Sequence, residues 1–235
     1  FNVVNLETEQ VQEPGNPQPE AAARVIQEVD PDVLVVNELA NNVQQATVED
    51  VPTAQTNIEA FVEHYLSEPQ GKNLNGIEYE HTLQPKSNTG LLPGEDYDFN
   101  KDGSAGDRPG DAFGFGFYPG QYAFGIASKF PFDEEAIRSF QEFLWADMPG
   151  NLIPLDGEDD VDTDSIYLIE EELDAFRLSS KTHIDVPFDV DGETVHGLFS
   201  HPTPTGFDGD NNFNGRWNHD ENRFWADYVA GAEYI

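Results

Sequence analysis

The chain has 235 residues, 37% of them hydrophobic, with 17 Phe, 8 Tyr and 3 Trp, which is enough apolar and aromatic material for a packed core and too much for a disordered tail. Lys plus Arg number 11 against 46 Asp plus Glu, a formal net charge of -35 that repels polyanions at low salt and offers nucleic acid no basic footprint. The lack of Cys excludes disulfide and thiolate chemistry, and no apolar run approaches the roughly 18 residues of a membrane span.

Phe1 to Leu6 (FNVVNL) is apolar and β-branched and predicts a buried strand. Glu7 to Pro19 is polar with three prolines, a loop pattern. Glu20 to Val29 predicts a helix with an apolar face through Ala21, Val25 and Val29, stopped by Pro31. Asp32 to Leu39 (DVLVVNEL) predicts a second strand, so the chain opens as strand, helix, strand. Thr56 to Ser67 predicts a helix capped by Thr56 or Asn57. Leu83 to Asp111 is rich in Gly, Pro, Asn and Asp and reads as a long insertion. Gln121 to Lys129 predicts a strand, Glu134 to Leu144 a helix or irregular segment, and Asp156 to Asp164 an acidic loop. Arg177 to Val190 and Thr194 to His201 predict a hairpin turning at Asp191-Gly192, a dipeptide that accepts positive φ. Thr203 to Asn218 reads as a turn-rich loop, and Glu221 to Ala232 as an amphipathic helix carrying Phe224, Trp225 and Tyr228. No internal repeat or low-complexity linker divides the chain, which predicts a single domain over 1–235 with an Asp/Gly-rich insertion near 87–112.

Asn5 and Glu38 fall near the C-terminal ends of two apolar strands, the edge where α/β sheets gather functional groups. A carboxylate there is costly to bury unless it is paired or bound to a metal, and hard cations such as Mg²⁺ prefer carboxylate and amide oxygens. Either residue can equally cap a strand end in water. His201 ends VHGLFSH beside Pro202-Thr203-Pro204, a placement from which an imidazole can donate to a phosphate oxygen or leaving group, or serve as an ordinary surface histidine. Lys181 and His183 (SSKTH) alternate outward on one face of the facing strand, where Lys181 neutralises a phosphate or is simply solvated. Asp98, Asn100, Asp102 and Gly103 follow the opening D-x-N-x-D-G of a calcium loop, but its twelfth position is Pro109, which argues against an EF-hand and leaves either another cage closed by Asp107 or Asp111 or a simple turn-forming loop. No G-x-S-x-G, Walker loop or H-E-x-x-H occurs, and Gly114-Phe115-Gly116 lacks the third glycine of a dinucleotide site.

In order and spacing, these segments resemble the endonuclease/exonuclease/phosphatase superfamily, which includes secreted deoxyribonucleases, abasic-site endonucleases and sphingomyelinases. FNVVNL is similar to its first strand, which implies that Asn5 helps to hold metal and phosphate. PDVLVVNEL is similar to its second motif, which implies Glu38 as the metal ligand. GQYAFGIASKFPF resembles the strand ending in Ser-Lys or Ser-Arg before Pro, and FSHPTPTGFDG the strand bearing the first catalytic His of deoxyribonuclease-like members, the role that falls to His201. NGRWNHDENRFWADYV resembles a segment of an often secreted bacterial and archaeal branch, with Arg216, Asn218 and His219 facing phosphate.

The resemblance implies a four-layer α/β sandwich, a secreted hydrolase of nucleic acid or small phosphodiesters, and Mg²⁺ or Mn²⁺ as cofactor, with no membrane span and no protein partner evident. No later strand carries the family's Gly-Asp-x-Asn motif, and its final Asp-His pair does not occur before Ile235, so the expectation is the front portion of such an enzyme, incomplete at the C-terminus. The start at Phe1 carries the matching expectation of a mature, trimmed or partial chain. The competing expectation is a non-catalytic, Ca²⁺-binding extracellular module or an inactive fragment that keeps the fold. Few Lys and many Asp and Glu suit a saline setting, where at ~1 M salt the screening length falls to roughly 3 Å and the global charge ceases to repel nucleic acid.

Overall fold

A computed structural model describes residues 1–43, 55–155 and 166–235; the predicted acidic loop at 156–164 lies outside the described residues. The chain divides into two compact units, Phe1–Ser87 with Pro119–Arg138 and Ile184–Phe199, and Asn88–Tyr118 with Ser139–His183 and Ser200–Ile235.

The first unit opens with β1 (Asn2–Leu6), α1 (Thr8–Val11), α2 (Pro17–Val29) and β2 (Val33–Leu39). β1 and β2 are parallel neighbours, the pairing that a helical crossover permits. The stretch 7–19, expected as loop, is partly helical. Gln10 Oε1 accepts from Glu7 N at 2.7 Å to start α1, and Asn16 accepts from Gln18 N at 3.1 Å to start α2. Pro17 stands in the first turn, where its missing N–H costs nothing. The helix stops at Asp30, in the left-handed conformation, with its N–H on Ile26 O.

α2 buries Ala22, Ala23, Ile26 and Gln27, not the expected stripe, of which Val25 and Val29 are 47% and 70% exposed. Two apolar stripes compete at helical spacing. The one containing Ile26 wins because Gln27 beside it is satisfied, donating to Leu66 O at 2.9 Å and Glu68 O at 2.8 Å.

The Gln121–Lys129 strand is observed as β4 (Phe124–Ser128), antiparallel to β2 from Val33↔Ser128 to Asn37↔Phe124. β3 (His81–Leu83) pairs with β4, and the sheet order is β1-β2-β4-β3. Side chains alternate across β4. Ala127 joins Leu34, Val36, Ile26, Ile58 and Phe61 in one core cluster, while Phe124 and Ile126 join Ile184, Val186 and Phe188 of the hairpin in another. The expected helix at 56–67 is α3 (Asn57–Phe61) followed by a wider π-helical turn over Val62–Leu66, and Thr56 Oγ1 caps it from Glu59 N at 3.3 Å. Helices, a mixed sheet and a hairpin sheet thus stack as three layers within this unit, an α/β fold.

The hairpin is β6 (His183–Val190) and β7 (Glu193–Ser200), with β5 (Arg138–Ser139) beside β6. Asp191 and Gly192 turn it with φ of 55° and 88°, as expected. Residues 177–182, expected in the strand, are instead drawn into side-chain hydrogen bonds of the second unit.

That second unit holds α4 (Glu170–Leu173) and α5 (Phe213–Ala230) among irregular chain. α5 begins well inside the stretch expected as loop. Asp208 accepts from Asn214 N and Gly215 N, a cap supplied from outside the helix that local composition does not signal. The core is largely aromatic: Trp145, Phe176, Phe213, Trp217 and Phe224 pack together with Phe99 and Phe113. Phe99 comes from the Gly/Asp-rich insertion and Phe113 follows directly after it, so that segment contributes to the core rather than hanging from it. Asp111, fully buried, accepts from Phe99 N at 2.8 Å and Asp107 N at 2.9 Å.

Candidate active site

In the first unit the structure brings Asn5 and Glu38 together. Asn2 pairs with Asn37 and Leu6 with Leu39, so β1 takes four steps where β2 takes two. The surplus is taken up at Val4 and Asn5, whose φ values are 57° and 52°. This bulge directs Asn5 N onto Glu38 Oε2 at 3.1 Å, and Asn2 Nδ2 onto Glu38 Oε1 at 2.7 Å. Glu38 itself has φ 66°. Left-handed backbone at non-glycine residues is uncommon, and for a β-branched residue such as Val4 it is strained, so these strand ends hold a geometry imposed by their surroundings.

Two further residues complete the cluster, neither of them singled out by the sequence. Glu7 Oε1 accepts from Asn5 Nδ2 at 2.8 Å, and Gln121 Nε2 donates to Asn5 Oδ1 at 3.3 Å. Tyr122, at φ 58°, stands close enough that burial, and then the carboxylates of Glu38 and Glu7, push its phenol above the ordinary value. The signal for Glu7 was its place two residues after Asn5, obscured by its reading as the start of a loop.

The donors at these strand ends are oxygens, two of them carboxylates, and Asn37 Oδ1 at the end of β2 is buried with no hydrogen-bond partner. That set suits Mg²⁺, which takes one or two carboxylates and keeps waters and substrate oxygens as its remaining ligands. Among the described residues no group of three or more His, Asp or Glu is arranged to hold a metal by itself.

The second unit holds the other sequence candidates. His201 follows β7, half-buried, ahead of Pro202-Thr203-Pro204. Lys181 and His183 do not alternate outward; both are buried. Lys181 Nζ lies 3.3 Å from Ser180 Oγ, and its charge bears on Glu221. His183 Nε2 donates to Glu221 O at 2.8 Å, which leaves Nδ1 to accept from Ser179 Oγ at 2.9 Å, and burial pushes the imidazole down to about 4. It is a neutral structural histidine.

Of the three residues expected to face phosphate, Asn218 has its amide on Thr203 O at 2.7 Å, His219 is exposed with Nδ1 3.0 Å from Asp220 Oδ1, and Arg216 is half-buried in the first turns of α5. The 98–103 loop closes on itself: Asp98 accepts from Asp102 N and Gly103 N, and Asn100 Nδ2 donates to Asp102 Oδ2 at 2.9 Å. Lys129, at the Ser-Lys end of β4, is tied to Asp30 at 2.8 Å and Asp32 at 3.2 Å, a structural bridge.

No curated protein and no solved structure matches the chain. The sequence profile of the Endonuclease/Exonuclease/phosphatase family matches residues 5–233, a span that opens on Asn5 and includes Glu38 and His201. The chain therefore belongs to the endonuclease/exonuclease/phosphatase family.

Proposed function

We propose that this chain is a divalent-metal-dependent phosphoester hydrolase built on the family's four-layer sandwich. The observation that supports it most directly is the bulge that turns Asn5 onto Glu38. Two donors fix that carboxylate while Glu7 and Gln121 fix the Asn5 amide. Glu38, Asn5 and Glu7 are the residues that would hold Mg²⁺ or Mn²⁺, and such an ion supplies Lewis-acid polarisation of a phosphoryl oxygen. Asn5 orients the phosphate through its amide. In the second unit, His201 is the residue that would donate a hydrogen bond to a phosphate oxygen.

The substrate reading follows from charge. A net charge of -35 favours small phosphodiesters at low salt, and nucleic acid joins them once salt screens the surface. An extracellular, saline setting belongs to this reading. Among the described residues, no helix is long and apolar enough to cross a membrane.

The test is hydrolysis of bis(p-nitrophenyl) phosphate, p-nitrophenyl phosphate and plasmid DNA across a salt series with Mg²⁺ or Mn²⁺. EDTA should abolish turnover, and Glu38→Ala should lower kcat/KM at least about a hundredfold, the scale of a lost electrostatic anchor in the transition state. Turnover at the parental rate in EDTA, or in the Glu38→Ala protein, overturns the assignment. Ca²⁺ binding by the 98–103 loop is the second reading; it rests on the D-x-N-x-D-G spacing, and calorimetry with CaCl₂ on the parent and on Asp98→Ala decides it.

A further inference from the structure

Both backbone polar groups of Thr203 are held by side chains of a single helix. Its N–H donates to Glu221 Oε2 at 2.5 Å, and its carbonyl accepts from Asn218 Nδ2 at 2.7 Å. Asn218 and Glu221 are three residues apart on α5 and so share a face. Thr203 is 7% exposed and lies between Pro202 and Pro204, whose rings fix their own φ. His201 is therefore attached, through one proline, to a residue whose flanking peptides cannot turn without breaking one buried and one half-buried hydrogen bond.

Glu221 is fully buried, an expensive place for a carboxylate. Its other oxygen accepts from Ser180 N and Ser180 Oγ, both at 2.8 Å, and its backbone carbonyl from His183 Nε2. The positive charge bearing on it is Lys181, itself buried. Three donors and one cation thus converge on a side chain that touches no surface. A helix needs no buried carboxylate to pack; two apolar residues would do as well or better. What this arrangement achieves is to fix Thr203 against Ser180.

We propose that Asn218 and Glu221 are positioning residues that clamp the Thr203 peptide and so set the direction of the His201 imidazole, with Lys181 as the counter-charge of the clamp. Lys181 and Asn218 thereby move from phosphate contacts to the support behind His201. The inference rests on the reading of His201 as a phosphate-binding residue given above.

The experiment uses the whole chain at pH 8, above the value of about 7 to which burial pushes Glu221, with Glu221→Gln and Asn218→Ala as variants. Gln keeps the size of the side chain but turns one accepting oxygen into a donor, so Ser180 or Thr203 loses its partner. Asn218→Ala removes the carbonyl contact at a half-buried site and serves if Glu221→Gln does not fold. Three quantities are read: exchange of the Thr203 amide proton, the response of the His201 ring proton to inorganic phosphate, and turnover of bis(p-nitrophenyl) phosphate with Mg²⁺.

The clamp predicts Thr203 exchange at least tenfold faster, a changed His201 response, and kcat lowered about ten- to a hundredfold with KM within twofold, the pattern of a misplaced rather than missing contact. Unchanged Thr203 exchange, or unchanged kcat in an active parent, overturns the clamp and leaves the hydrolase reading intact. A parent that hydrolyses nothing removes the hydrolase reading, and the exchange and ring-proton measurements then decide the clamp without it.

Discussion

At the scale of single residues, strain and burial set the sharpest expectations. Val4 is 71% exposed and left-handed at φ 57°, so its side chain gains little from packing while its backbone is strained. Val4→Gly is expected to raise the unfolding free energy by about 1 kcal/mol in denaturant titrations, against the usual cost of glycine in a strand. Asp220 is fully buried, and its Oδ2 accepts from Trp145 Nε1 and Leu152 N, each at 2.7 Å. Asp220→Ala leaves both donors unpaired and should cost about 3–5 kcal/mol, with Asp220→Asn intermediate; a loss under about 1 kcal/mol in urea unfolding would contradict the bonding described. Glu221 and His183 titrate in opposite senses. Burial raises Glu221 from 4.5 to about 7, so its stabilising contribution is complete below about 4.5 and is lost as pH rises through about 7. Burial lowers His183 from 6.5 to about 4, so its contribution is complete above 6.5 and is lost as pH falls through about 4. Unfolding curves for parent and His183→Gln should accordingly converge as pH drops from 7 to 4, and those for parent and Glu221→Gln should shift against the parent from pH 5 to 8.

At the scale of elements, glycine in β4 sets how closely a helix approaches the sheet. A Cβ on Gly125 would lie 2.7 Å from Ile58 Cβ of α3, nearer than such atoms ever stand. Gly125→Ala should therefore lower stability by about 1–3 kcal/mol, although alanine is the better strand residue, and circular dichroism melts give the sign directly. Elements with strong apolar alternation were legible in sequence: β1, β2, β4 and the β6–β7 hairpin with its Asp191-Gly192 turn. Those begun by distant groups were not. The first turns of α5 depend on Asp208, and residues 177–182 leave the strand pattern because Glu221 and Asn88 compete for their backbone and side chains. Asn5 and Glu38 were legible because they interrupt apolar runs at strand ends. Glu7, Gln121 and Tyr122 were not, since only the bulge in β1 brings Asn5 to Glu7 and Gln121.

At the scale of the whole chain, charge governs behaviour in solution. With a net charge of -35 and an isoelectric point near 4.1, activity toward plasmid DNA should rise from low salt to ~1 M salt while activity toward a small diester changes little, because screening acts on the polyanion first. A plasmid rate that falls across that series would refute an electrostatic origin for substrate choice. Among the described residues β7 ends the order β5-β6-β7, its residues Glu193 to His196 are exposed, and Val195 is 50% exposed. Such an edge is a template on which a second copy can add strands, and like charge is what holds copies apart. The same carboxylates that set the net charge thus act as a colloidal safeguard, one that acidification toward pH 4 removes as surely as a mutation would.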